Sequence, residues 1–557
     1  MAPPRQTDCF SMTQVSNPAV TALDAKVPLP KQIPYIIGNE VCERFSFYGM
    51  RNILTPFLIS TLLLYAPGAD RAGMAKDVFH TFVIGVYFFP LLGGWLSDRY
   101  FGKYNTVMWF SLVYCIGHAC LAIFEDNRHG FYTGLFLIAL GSGGIKPLVV
   151  SFVGDQFDQT NKHRAKVVFD AFYWMINFGS FFASLLMPIF LRDLGPGIAF
   201  GIPGVLMLIA TLVFWMGRKQ YVNVPPQAAD PDAFLQVLKT ALGARGVGAV
   251  GSGSWVAWTG IGGAALLLLL WAISPVWWPE SFGFVITACL SLGLLIGMVG
   301  WGGSLQLERA RGVHPDVAVE GVRAVLRVLI VFALVTPFWS LFDQKASTWI
   351  IQGNAMVMPT FASLPDGMAA WMRNWFASPA QMQALNPLFV MILIPFNNMV
   401  LYPLLRTWGF NPTALKRMGW GIAFSGIAWV VAGLIQLQID AGAQLSIGWQ
   451  TWPYILLTFG EVLVSATALE FAYSQAPHAM KGVIMAFWYL TSTFGSLWVL
   501  LTNAGVRNPA VIQKIAESGV SEPAFLMFFF AGFAFLAAAA FAAYAKHYPL
   551  MDYYRQQ

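Results

Sequence analysis

GGWLSDRYFGKYNT (93–106) and YPLLRTWGFNPTALKR (402–417) are two versions of one loop, set in matching places of a 557-residue chain. The first has the form G-x-x-x-D-R-x-x-G-K, and the second keeps Arg406, Gly409 and a basic end. Each element has a physical reading. Asp98 is placed to cap and pair near a helix end, Gly102 permits a tight turn, and Arg99 and Lys103 hold the loop on one side of a membrane. A loop that recurs in both halves marks an internal duplication.

Working outward, each copy lies between long apolar runs. A spanning helix needs roughly 20 mostly apolar residues. Twelve segments qualify, near 34–63, 78–98, 104–124, 131–153, 167–191, 198–217, 322–350, 386–406, 417–437, 451–474, 483–503 and 524–545. Two more, near 254–274 and 282–304, lie between the halves. Residues 246–279 hold no Asp, Glu, Lys or Arg, and SPVWWPE (274–280) reads as a tight aromatic turn. The pattern predicts an all-α membrane protein with fourteen transmembrane helices, two six-helix bundles plus a two-helix hairpin. The two six-helix repeats resemble those of the major facilitator superfamily, whose loop signature the first copy resembles strongly and the second in degraded form.

Composition agrees. The chain is 57% hydrophobic and 11% charged, with a mean hydropathy of +0.60, whereas soluble domains carry about 25% charged residues. A soluble protein this apolar would lack the polar surface to face water. The net charge is +6, but placement matters more than the sum. If both termini are cytoplasmic, Lys and Arg favour the cytoplasmic side by roughly three to one, which sets the orientation. The expected organisation is a cytoplasmic tail (1–33), a six-helix bundle (34–218), a cytoplasmic linker (219–253), the hairpin (254–305), a second bundle (306–546) and a short cytoplasmic tail (547–557). The polar first residues do not read as a signal peptide. The five cysteines are scattered, without CxxC or His clusters at metal spacing.

Charged residues inside the spans point to function. Glu40, Glu43, Arg44, Arg51, Lys146, Asp343, Lys345, Glu461 and Glu470 fall there. Insertion costs about 2.5–3.5 kcal/mol for each such group at a helix centre, so they are expected to face one another or water. In GNEVCERFSFYGMR (38–51), Glu40, Arg44, Tyr48 and Arg51 form one helical stripe with Glu43 at its edge. Two carboxylates beside one guanidinium make a cluster whose protonation depends on its neighbours. In LGSGGIKPLVVSFVGDQF (140–157), Gly141, Gly143 and Gly144 allow close helix approach, and Lys146 precedes Pro147. Tyr173 and Asn177 form an i, i+4 pair, as do Glu461 and Ser465, and Trp339 and Asp343. Cations in the first half and a carboxylate in the second are suited to bridging a zwitterion. His118 has only apolar neighbours in sequence and reads as structural.

These motifs resemble the proton-coupled oligopeptide transporter family: ExxERFxxYG (40–49), GxGGIKPxVxxFxxDQF (141–157), FYxxIN (172–177), PFWSLFDQ (337–344) and GEVLxSxTxLEFxYSQAP (460–477). The hairpin resembles the two extra helices of bacterial members. The resemblance implies that Glu43, helped by Glu40 and coupled to Arg44 and Lys146, takes the proton. Arg44 and Lys146 would hold a peptide carboxylate, and Glu461 the amino terminus. Asn177 and Asn386 would contact the peptide backbone, Tyr48 and Tyr173 the cavity wall, and Trp339 and Trp488 the side-chain pockets, with Ser465 beside Glu461. Arg51 and Asp343 would close the outer side, with Lys345 a competitor for Asp343 and His80 a further member of that gate; Glu470 would belong to the inner gate. Phe47 stands where many members have Tyr.

The function implied is import of di- and tripeptides by proton symport through alternating access. The alternative is a related carrier of another small anion, of nitrate or carboxylate type, or a drug-like acid. No cofactor is expected beyond the coupling proton, no metal, no nucleic acid and no catalytic residue. The expected partners are small peptides and the lipid bilayer, and the expected setting is a monomer in a bacterial inner membrane.

Overall fold

The computed structural model describes residues 29–157, 162–226, 230–243, 251–273, 283–475 and 480–549. Most of the amino-terminal tail, the SPVWWPE turn and the end of the carboxy-terminal tail lie outside the described residues. The first bundle comprises α1 (Ile33–Phe57), α2 (Gly68–Phe88, prolonged by Pro90–Leu96), α3 (Gly102–Ile123), α4 (Arg128–Asp155), α5 (Lys162–Leu194) and α6 (Pro196–Met216). A short helix α7 (Phe234–Gly243) precedes the hairpin, α8 (Ser252–Ile273) and α9 (Gly283–Leu305). The second bundle runs through α10 (Asp316–Asp343), the short surface helix α11 (Asp366–Trp375), α12 (Leu385–Phe396, prolonged by Asn397–Thr407), α13 (Ala414–Asp440), α14 (Thr451–Ser474), α15 (Lys481–Gly505) and α16 (Glu522–His547).

Twelve described segments are long and apolar enough to cross a bilayer. One of them, Gly68–Ile123, contains two antiparallel helices that meet at Gly102. α1 is too polar for that count, because Glu40, Glu43, Arg44 and Arg51 interrupt it, yet its 25 residues are long enough to span. Among the described residues, fourteen long helices in the order six, two, six therefore stand as expected. We call the end where α1 begins and α16 finishes the near face, and the opposite end the far face.

The duplicated loop has a backbone cause. Gly102 adopts φ +72° and Gly409 φ +81°, a region closed to most side chains. A π-helical turn stands ahead of each glycine, Ser97–Phe101 and Asn397–Leu401. Lys103 pairs with Asp155 at 2.6 Å, tying the loop to the end of α4. Asp98 does not cap α3, contrary to expectation. The N-cap is Phe101, with no side-chain bond, because Asp98 is drawn into the preceding π-turn.

Glycine sets the helix spacing. A Cβ on Gly143 would stand 2.5 Å from the Cβ of Phe89, and one on Gly141 would stand 2.7 Å from that of Tyr114, so α4 is wedged between α2 and α3. Gly117 and Gly134 face each other across α3 and α4, and Gly421 and Gly460 do so across α13 and α14. The two halves thus repeat their close packing as well as their loop. Gly143→Val should cost at least about 1–3 kcal/mol through overpacking. Gly94→Ala, where nothing lies within 4 Å of the added methyl, should cost nothing measurable. Thermal unfolding in detergent compares the two.

At the near face, α7 departs from the plain linker expected of 219–253. Phe234, Val237, Leu238 and Ala241 are buried, and their i, i+3, i+4, i+7 spacing is a helical stripe. His314, just before α10, donates from Nδ1 to Asp232 (2.7 Å) and lies 2.9 Å from the Thr240 hydroxyl. Arg311 and Arg323 both bind Glu308 and Glu320. Hydrogen bonds from Arg311 and then Arg323 lower the Glu308 pKa below its ordinary 4.5. A depressed carboxylate stabilises the fold above that value and loses its effect as pH falls through the folded pKa. A melting-temperature profile should therefore be flat in this respect above pH 5 and decline in acid. Glu308→Gln should remove that part of the decline.

Candidate functional site

The site begins on α1, where helical periodicity turns Glu40, Arg44 and Tyr48 inward. Arg44 Nε lies 2.7 Å from Glu40 Oε1 and 2.7 Å from Glu43 Oε2. All three side chains are buried. One guanidinium therefore serves two carboxylates, and Glu43, placed at the edge of the stripe by its spacing, shares the cation fully. Lys146, carried inward by the glycine-rich turn of α4, sets its ammonium 3.5 Å from the Phe47 ring centroid and 4.9 Å from that of Tyr87. Phe47 therefore supports the lysine by a cation–π contact.

The second half brings a polar relay. Lys345 Nζ donates to Asn386 Oδ1 at 2.7 Å, and Asn386 Nδ2 donates to Glu461 Oε2 at 2.6 Å and to the Thr458 hydroxyl at 3.0 Å. Lys345 thus turns away from Asp343. The turn Gln344–Ala346 that follows α10 swings the lysine toward α12. Asp343 is left for Arg51, which it meets at 2.5 Å, and it also accepts from Ser492 at 2.9 Å. The expected competition for Asp343 does not occur in this state.

Between the halves is a cavity of about 130 Å³. Of the residues expected in the site, Tyr48, Arg51, Asn177, Trp339, Asn386 and Glu461 line it, joined by Tyr87, Lys345 and Gln383. Arg44 and Lys146 do not line it. They stand behind aromatic walls of it, Lys146 over the Tyr87 ring and Arg44 one helical turn before Tyr48. Trp488 supports Trp339 edge-on, with ring centroids 5.8 Å apart. Tyr173 stands one turn from Asn177, whose amide donates to the Tyr173 carbonyl, and is 42% exposed. The Ser465 hydroxyl donates to the Glu461 carbonyl along its own helix. Glu470 is exposed at the near end of α14.

Above the cavity the far face is sealed. Arg51–Asp343 is joined there by Thr55 donating to the Ala346 carbonyl (2.8 Å) and by Gln383 bonding Asn52. His80 is fully buried, 3.1 Å from the Ser347 hydroxyl and 3.4 Å from that of Ser496, so it bridges the halves beside the ion pair through serines. His118 is not surrounded by apolar groups alone. Its Nε2 lies 3.0 Å from the Ser46 hydroxyl of α1, a partner that no local pattern reveals because 72 residues separate them.

Reading the residues by motif passed over Lys345 as a site residue, and Gln383 and Tyr87 altogether. Lys345 carried a signal, a lysine inside a span six residues after a cavity tryptophan, Trp339. Gln383 lies in the turn Pro379–Ala384 before α12 and carried none.

Comparison with known proteins follows the same lines. The profile of the POT family matches residues 104–255 and 307–517, and the gap coincides with the hairpin. Solute carrier family 15 member 1 of Oryctolagus cuniculus is 30% identical over 436 residues, covering 74% of this chain and 52% of that protein. Peptide transporter family 2 of Caenorhabditis elegans is 30% identical over 428 residues, covering 74% and 48%. The chain thus spans about half the length of the curated relatives it matches. Among solved structures, an auto-inhibited POT family peptide transporter is 61% identical, with a TM-score of 0.88 over 95% of this chain and 99% of the other. The POT family transporter PepTSo is 60% identical, with a TM-score of 0.87 over 93% and 98%. With matching helices, matching motifs and a profile that takes in more than half its length, this chain belongs to the POT family.

Proposed function

We propose that the protein is a secondary active transporter that imports di- and tripeptides by symport with protons through alternating access. The observation that carries this reading is the placing of cations from one half behind the Tyr48 and Tyr87 walls of the cavity and of a carboxylate from the other half on its lining. Arg44 and Lys146 come from the first half, and the Asn386–Glu461 pair comes from the second. A peptide zwitterion needs that pairing, a guanidinium fork and a point charge for its carboxylate and a carboxylate for its ammonium. A plain anion needs only the first.

The chemistry follows from the contacts. While Glu40 and Glu43 are both ionised, Arg44 is held between them. A proton taken up at Glu43 loosens that hold and leaves Arg44 free to meet a carboxylate. The ammonium meets Glu461 and disturbs the Lys345–Asn386–Glu461 relay. Binding at both ends draws the halves together, and Arg51–Asp343 closes the far side. Tyr48, Tyr173, Asn177 and Asn386 contact the peptide, Trp339 and Trp488 shape its side-chain pockets, and Ser465 borders Glu461. His80 belongs to the far gate and Glu470 to the near one. No cofactor takes part other than the coupling proton, and the protein is a carrier rather than an enzyme. The near face is cytoplasmic, the protein works as a monomer, and its place is a bacterial inner membrane.

Uptake of labelled dipeptide and tripeptide into proteoliposomes, with and without an imposed inward proton gradient, tests the reading. Gradient-driven accumulation that unlabelled dipeptide suppresses, and nitrate or free amino acids do not, is the expected result. Suppression by nitrate with no dipeptide uptake would replace the peptide reading with the anion carrier.

A further inference from the structure

Four contacts join α2 to α15 across the two halves, and they share one register. Asp77 meets Asn503 (3.2 Å) and Arg507, His80 meets Ser496, the Ile84 carbonyl faces the Thr493 hydroxyl at 3.5 Å, and Tyr87 stacks on Tyr489 with centroids 6.3 Å apart. Along α2 the partners step by three, four and three residues, while along α15 they run backwards. That is the seam of two antiparallel helices in contact on one face each. The seam begins at the far rim with its ion pair and ends beside the cavity at Tyr87.

From this register we propose that Asp77 and Arg507, with Asn503, form a second latch of the far gate, separate from Arg51–Asp343. Asp77 is 3% exposed, while the Arg507 side chain is 38% exposed and reaches in from the rim. The pair belongs to opposite halves, so any parting of the far face separates it. Water then reaches Asp77 directly, because Arg507 already stands at the solvent edge. A charge pair at such a rim closes and reopens at small net cost, unlike one stranded in a dry interior. Its role is positional. It holds the outer ends of α2 and α15 in register so that the His80, Thr493 and Tyr87 contacts below form together.

The latch rests on the alternating access proposed above, so its test reads the gate without substrate. Spin labels at Ala69→Cys and Gln513→Cys, both exposed near the far face, are placed in protein whose five native cysteines are serine. Their distance distribution in nanodiscs then reports the sealed and open populations. Asp77→Asn and Arg507→Gln should each raise the long-distance fraction at least threefold. The exchange Asp77→Arg with Arg507→Asp should bring it back to within about twofold of the parent. Because Arg507 lies at the surface, Arg507→Gln leaves the packing intact and gives an outcome even if a variant at Asp77 fails to fold. Parent-like distributions in Arg507→Gln would overturn the latch whatever the transport assays show. Absent dipeptide uptake by the parent would instead count against the peptide reading and leave the distance result standing.

Discussion

Glu43→Gln is expected to abolish proton-driven accumulation of dipeptide while leaving exchange of peptide for peptide across the membrane. The expectation comes from the shared guanidinium. Arg44 lies 2.7 Å from both Glu40 and Glu43, so neutralising Glu43 leaves Arg44 one partner and fixes it in the condition that follows protonation. Substrate can still enter and leave, but no proton need move with it. A membrane potential contributes about 2.3 kcal/mol per charge per 100 mV, roughly fifty-fold in concentration. The variant should fall from accumulation of that order to simple equilibration. Internal and external label measured under an imposed gradient decide it, and retained uphill uptake would remove Glu43 from the proton step. Glu40→Gln provides the comparison, because Glu40 is the other holder of the same cation.

The second large effect is expected at the far gate. Asp343→Ala leaves Arg51, which is 5% exposed, facing a site that held its carboxylate at 2.5 Å, and it also removes the acceptor of Ser492. Breaking a buried pair by removing one partner costs about 3–5 kcal/mol. That penalty falls on the sealed state, since opening lets water reach the arginine, so the far-closed population should drop by roughly a hundredfold or more. Uptake should collapse while the protein remains folded and monodisperse. A maleimide probe at Ser347→Cys, buried in the sealed far gate, added from the far side to protein whose native cysteines are serine, should react faster with Asp343→Ala than without it. Unchanged accessibility with lost uptake would assign Asp343 to substrate binding instead.

The two predictions involve different kinds of residue, and their legibility differs accordingly. The Glu40–Glu43–Arg44 cluster is local. Its members lie within five residues on one helix, where a turn of 3.6 residues decides which side chains meet. Arg51–Asp343 joins α1 to α10, and periodicity gave only candidates of opposite sign; the motif resemblance paired them. Lys345 shows the limit of that reasoning. Its sequence neighbour two residues away is Asp343, yet a single turn after α10 sends it to Asn386 on α12. His118 and Ser46, α7 against α10, and Asp98 in a π-turn are the same kind of case, in which packing chose among partners that spacing left equal.

Sequence alone determined the membrane bundle, the duplication, the six-two-six order and the cluster on α1, because hydropathy, glycine punctuation and helical period are properties of adjacent residues. Tertiary structure decided which half touches which: the Lys345–Asn386–Glu461 relay, the sealed far face and the register of α2 on α15. Those contacts depend on how two rigid halves meet across a cavity, and side chains hundreds of residues apart carry no local pattern that records where the meeting occurs.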